Sequence, residues 1–154
     1  MCIRDSYLDD LTVGESWGSE PFTITEAEII AFATEFDPQP MHVDKAAAEA
    51  GRFGGLIASG WHVCSRVMRQ FVNEAYFGQT PLLGMNVDAL WWVRPVRPGD
   101  TLTVRREIIE IRPSKSQPDR GVVRTKTTVT NQDGDLAMSF ENQMQLPRNA
   151  EARL

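Results

Sequence analysis

The sequence is short of cysteine, histidine, long apolar runs and positive charge, and each shortage removes a class of protein. Two cysteines in 154 residues cannot make a disulfide framework, which suits a reducing cytoplasm. Cys2 falls in a terminal segment that joins poorly onto the rest of the chain, and Cys64 falls on the apolar face of an expected helix. The two histidines form no His-x-x-x-His pair and the cysteines no Cys-x-x-Cys. His42, Asp44, His62 and Cys64 are thus too loosely spaced for tetrahedral ligation, and no metal site is expected. No apolar stretch approaches the roughly 20 residues of a membrane span, and the amino terminus lacks the apolar segment of a secretory signal. Neither a membrane nor a secretory role is expected. With 16 basic against 21 acidic residues and a formal charge of −5, nucleic acid is not an expected partner. Ser65 is not framed as Gly-x-Ser-x-Gly, which disfavours a serine hydrolase.

What is present is an average globular composition, 42% apolar and 24% charged, on a chain of one-domain size. Residues 7–148 are read as one domain, 1–6 as a non-native or disordered leader outside the fold, and 149–154 as a tail. Thr25-Ala27-Glu28 frames a capping box. Ile29, Phe32, Ala33 and Phe36 continue it at helical spacing until Pro38 and Pro40 stop the helix. Asp37 therefore stands at a helix end. One or two helical turns are expected over Lys45–Ala50, then a loop with three glycines between Gly51 and Gly55. A long helix comes next, with Cys64, Val67, Met68, Phe71, Val72 and Ala75 as its apolar stripe, ending near Gly78.

Beyond Leu82 the spacing changes to that of strands: 85–93, 100–111 with a parity change that signals a bulge, 122–130, and an alternation of Leu136, Met138, Phe140, Met144 and Leu146 that only Asn142 interrupts. Asn131–Gly134 is a hairpin signal, so the last two strands should pair antiparallel. An early strand is expected over Trp17–Phe22. Trp91 and Trp92 must face opposite sides, one toward the core and one toward a pocket or interface. This order is α+β, satisfied if an antiparallel sheet wraps the long helix.

A carboxylate and an imidazole brought together can hold one water and move its protons near neutral pH. Asp37 and His42 are the candidates, with two prolines between them fixing the backbone. The spacing also fits a turn-capping aspartate and a histidine satisfying a carbonyl. Gly60 opens the long helix, where free amides and the positive dipole end can stabilise a developing oxyanion. Equally, Ser59 could cap that helix and Gly60 serve packing alone.

Taken in order, Asp37-x-x-Pro40-x-His42, Phe53-Gly-Gly-Leu-Ile-Ala-Ser-Gly60 and Arg94-Pro-Val-Arg-Pro-Gly-Asp100 resemble the MaoC-like dehydratases, relatives of the R-specific enoyl-CoA hydratases. The resemblance runs from about Thr23 to Leu146. It implies a hotdog fold, a homodimer with its two sheets joined edge to edge, and a pocket at the interface. It also implies syn addition of water across an α,β-unsaturated acyl thioester, with Asp37 and His42 activating the water and the Gly60 amide binding the thioester oxygen. Ser59 and Gln39 are expected beside the substrate. The enoyl-CoA hydratases carry Asn where this chain has Gln39, which reshapes the pocket beside the water. The expected partner is an acyl-CoA or acyl-carrier-protein thioester, and coenzyme A enters only as part of the substrate, with no separate cofactor. Nine basic residues against four acidic ones between Arg94 and Lys126 would suit a phosphorylated carrier or simply form exposed strand faces. Two other readings share these residues: a hotdog thioesterase, and a module that binds acyl thioesters without turning them over.

Overall fold

The computed structural model describes residues 5–149. Cys2, the first four residues of the expected leader and residues 150–154 of the expected tail lie outside the described residues. The chain runs through β1 (Ser16–Gly18), β2 (Phe22–Thr23), α1 (Glu26–Phe36), α2 (Pro40–Val43), α3 (Lys45–Ala50), α4 (Gly60–Glu74), β3 (Leu83–Trp92), β4 (Thr101–Pro113), β5 (Arg120–Thr130) and β6 (Leu136–Pro147). Among the described residues no helix is long and apolar enough to cross a membrane.

The capping box forms as expected: the Glu28 amide donates to Thr25 Oγ1 at 3.2 Å and the Thr25 amide to Glu28 Oε2 at 3.2 Å. This satisfies donors that a helix start otherwise leaves free. α1 ends at Phe36, with Asp37 as its C-cap. Ile29 and Ala33 are buried, whereas Phe36, expected on the inner face, is exposed. Pro40 does more than stop a helix. It is the first residue of the one-turn helix α2, where a missing amide proton costs nothing.

α4 closes earlier than its apolar stripe suggested, at Glu74, through Ala75 in the left-handed region at φ 49°. The early strand is two strands, β1 and β2, both paired with β4. The sheet order is β1-β4-β5-β6-β3 with β2 also on β4, antiparallel in every pairing. The bulge read from the parity change lies between Ile108 and Glu110. Gly134, at φ 80°, turns the chain between β5 and β6.

Val63 and Val67 of α4 pack against Leu102, Val104, Val129 and Met138 of the sheet, which makes one core cluster. A second gathers Leu8, Trp17, Phe77, Ile108, Val123, Met144 and Leu146. Asp5 and Ser6, set outside the fold by the sequence reading, are tied into it. The Gln79 amide donates to Asp5 Oδ1 at 2.7 Å and the Ser6 amide to the Phe77 carbonyl at 3.2 Å. Asn149 is likewise held, its amide donating to Asp9 Oδ2.

Trp91 and Trp92 were expected to divide between core and pocket, yet neither is in the core: they are 67% and 46% exposed. β3 is an edge strand, and an extra residue in it sets the face that each tryptophan takes. Between Asp88 and Trp91 the strand gains one residue on β6, at Ala89 with φ 47°, and such a bulge re-aims the side chains beyond it.

His62 lies buried between α1 and α4, its ring stacked on Phe32 at 4.7 Å, and among the described residues its Nδ1 has no partner. Burial, and then the nearby Arg66, lower its pKa; Glu28 opposes them. The unfolded chain thus takes up this proton near pH 6.5, and the folded chain only below that. Stability present above the unfolded value should be lost as the pH falls toward the folded one, at up to about 1.4 kcal/mol per pH unit. Urea titrations at pH 7 and pH 5 should show this slope, and His62→Leu should flatten it; an unchanged slope would remove His62 as its source.

Candidate active site

Asp37 and His42 meet although they belong to different elements. The extended backbone between α1 and α2, fixed by Pro38 and Pro40, turns the chain so that His42 Nε2 lies 3.4 Å from Asp37 Oδ2. His42 is 4% exposed. Its Nδ1 lies 2.6 Å from the carbonyl oxygen of Ile57. A carbonyl can only accept, so Nδ1 carries the proton and Nε2 is the atom turned toward Asp37.

The carboxylate is held on both oxygens. Gln39 Nε2 donates to Oδ1 at 2.8 Å and Ser59 Oγ to Oδ2 at 2.7 Å. These two hydrogen bonds, Gln39 first, together with the adjoining His42 keep the Asp37 carboxyl below the usual carboxylate range. Asp37 is therefore an anion at neutral pH.

Ser59 and Gln39, expected to touch substrate, direct their polar atoms at Asp37 instead and position it. Ser59 also does not cap α4: its hydroxyl makes no bond to the helix start. Gly60 is the first residue of α4, where backbone amides lack intrahelical acceptors and the helix dipole is positive. A side chain at Gly60 has no space, because an added Cβ would lie 2.3 Å from the indole of Trp92. Packing thus requires glycine there.

A cavity of about 180 Å³ opens on His42 and Gly60, and Val63, Trp92, Arg94 and Met138 are among its other lining residues. The loop over Arg94–Asp100 forms one wall, held when the Ala58 amide donates to the Val96 carbonyl at 2.8 Å. Sequence reasoning missed the Ile57 carbonyl, since a backbone acceptor leaves no side-chain signature, and it missed Met138. The other metal candidates are used elsewhere. Asp44 caps α3 by accepting from the Ala47 amide, and Cys64 Sγ sits 3.6 Å from Met138 Sδ, with burial pushing its thiol pKa up.

The run of basic residues does not assemble into one patch. Arg106 is buried against Glu74, Arg112 pairs with Glu110, Arg120 with Asp119, and Arg124 with Asp88 and Glu141. Strand alternation sends neighbours in the sequence to opposite faces. Of the nine, Arg94 is the one that lines the cavity.

Comparison with known proteins agrees with this architecture. The family model described as a MaoC like domain matches residues 10–131. The uncharacterized protein YdeM of Bacillus subtilis is 32% identical over 110 residues, 71% of this chain and 78% of that protein. A crystal structure of a MaoC-like dehydratase from Rhodospirillum rubrum superposes with a TM-score of 0.85 at 38% identity, over 94% of this chain and 98% of that one. An unliganded R-hydratase from Pseudomonas aeruginosa superposes with a TM-score of 0.72 at 27% identity, over 93% and 86% of the two chains. With the helix-on-sheet architecture and these matches together, the chain belongs to the MaoC-like dehydratase family and has its hotdog fold.

Proposed function

We propose that the protein is a hydro-lyase that reversibly adds water, syn, across the double bond of an α,β-unsaturated acyl-CoA. The observation that carries this reading is the pairing of an anionic Asp37 with a His42 whose Nδ1 proton is held by the Ile57 carbonyl, in a cavity that His42 shares with Gly60 at the start of α4. A water between Asp37 and His42 gives its proton to Nε2 as its oxygen bonds C3 of the enoyl group. The electron pair of the double bond moves toward the thioester oxygen, where the Gly60 amide holds the enolate. The imidazolium stands 3.4 Å from the Asp37 carboxylate, which stabilises it until the same proton passes to C2. One water is consumed, and both its parts arrive from one face. Dehydration is the reverse.

The site also suggests a homodimer. β3 is an edge strand, and Leu83, Met85, Val87, Trp91, Trp92 and Val93 along it are exposed. A long apolar edge is a template for pairing, and pairing β3 with its copy about a two-fold axis would cover it isologously. Trp61, Met68 and Val72 of α4 are exposed too and would be covered together with it.

Three outcomes are expected. Crotonyl-CoA should lose its conjugated absorbance when the protein is added, and Asp37→Asn should slow this by about 10²–10⁴-fold; free thiol released from saturated acyl-CoA instead would favour a thioesterase. Ser59→Ala removes a hydrogen bond to the carboxylate and should raise the Asp37 pKa, so the acidic limb of the kcat/KM profile should move to higher pH. Sedimentation should give a dimer that Val87→Lys drives toward monomer; a wild-type monomer would sink the edge-pairing reading.

A further inference from the structure

The inner face of the sheet is not apolar throughout. Between the two core clusters runs a band of polar side chains: Arg106 on β4, Thr125 and Thr127 on β5, and Asn142 on β6. Register places them together, with Arg106 opposite Thr127 and Thr125 opposite Asn142. Asn142 is the residue that interrupts the apolar alternation of β6.

Structural pairing accounts for Arg106. Its guanidinium donates to Gln70 Oε1 at 2.9 Å, Glu74 Oε2 at 3.3 Å and the Val67 carbonyl at 3.0 Å. Pairing does not account for Asn142. Its amide accepts one bond, from Thr125 Oγ1 at 2.7 Å, and among the described residues the other end of that amide has no partner. It faces a cavity of about 300 Å³ between α4 and β6, where Met68, Phe71 and Met144 supply apolar walls. Thr125, Thr127 and Arg106 line its continuation under the helix.

This cavity lies on the same face of β6 as the candidate active site. Met138 lines the cavity with His42 and Gly60, and Phe140 and Asn142 succeed it at alternate positions. Asn142 stands roughly 13 Å along the strand from Met138, within reach of a medium-length acyl chain whose thioester is at Gly60. Met138, whose Sδ lies 3.6 Å from Cys64 Sγ, is an unbranched side chain that can rotate aside.

We propose that this second cavity receives the far end of the acyl group, and that Asn142, supported by Thr125, selects acyl groups bearing a neutral hydrogen-bonding substituent there, a hydroxyl or a carbonyl. The inference rests on the hydratase reading above for the position of the thioester. A neutral group is favoured because Arg106 is already matched by Glu74, so a carboxylate would gain no free cation there. An alkyl end would leave the Asn142 amide buried without a partner, and sites built to hydrogen-bond a group reject the analogue that lacks it.

The test uses medium-chain 2-enoyl-CoA thioesters of equal length ending in a methyl, a hydroxyl or a carboxylate. Wild-type kcat/KM should favour the hydroxyl end over the other two by about tenfold or more, and Asn142→Leu should bring the hydroxyl-to-methyl ratio to one or below. A wild-type preference for methyl or carboxylate, or a ratio that Asn142→Leu leaves unchanged, would overturn the proposal. The wild-type ratio needs no variant to fold. If no enoyl thioester is hydrated, the hydratase reading fails by itself, and calorimetric Kd values for the saturated analogues take over: tighter binding of the hydroxyl end supports the cavity assignment, and equal or weaker binding overturns it.

Discussion

The closeness of α4 to the sheet at Gly60 is the constraint on which the site depends. With the Trp92 indole where a Cβ would stand, the first turn of α4 is pinned against β3. The segment leading into that turn then supplies three separate groups. The Ile57 carbonyl sets the tautomer of His42, the Ser59 hydroxyl holds Asp37, and Gly60 lines the cavity at the helix start. An ordinary N-cap would have turned the Ser59 hydroxyl onto the helix. Here the helix start gives up its side-chain cap, and the carboxylate gains a donor. A free amide at a helix start is costly only when it is buried without water or ligand, so an open cavity is what makes this arrangement tolerable.

Much of this was legible in the sequence because it depends on local rules. The Thr25–Glu28 capping box, the proline stop after Phe36, the glycine-rich approach to α4 and the β4 bulge all arise from spacing and backbone preference. What was not legible depends on contacts distant in sequence. The partner of Ser59 is 22 residues away. Burial of Arg106 beneath α4 could not be separated from the exposure of Arg105, because strand alternation is visible only once the sheet's faces are known. Ala89 hides the same way: nothing in its side chain signals a bulge, yet that bulge brings Trp92 over Gly60 and leaves Trp91 in solvent. The places of Asp5 and Ser6 in the fold are hidden for a related reason, since unremarkable composition carries no information about backbone donors across the fold.

The Gln39 difference has a physical resolution in the geometry. An amide two residues after the aspartate reaches Asp37 Oδ1 at 2.8 Å, so the longer side chain folds back onto the carboxylate rather than extending into the cavity. Its effect is electrostatic: two donors on one carboxylate stabilise the charged form. That makes Asp37 a poor proton acceptor and a good counter-charge, and in the proposed reaction the imidazole carries the proton.

The polar band explains why a cavity exists beneath α4 at all. Two apolar clusters could have merged into one core had the residues between them been aliphatic. Instead Arg106 stands there, 4% exposed, with burial lowering its pKa to about 10 and Glu74 opposing the shift. A buried ion pair gains little net stability over well-packed apolar residues, because desolvation offsets most of the attraction. Its geometry, however, is demanding: a guanidinium with acceptors on Gln70, Glu74 and the Val67 carbonyl fixes how far the second half of α4 stands from the sheet. The Phe71 ring rests on that guanidinium, with 5.0 Å between the guanidinium carbon and the ring centroid. The ion pair thus acts as a spacer for the smaller space that Arg106 lines together with Thr125, Thr127 and Asn142.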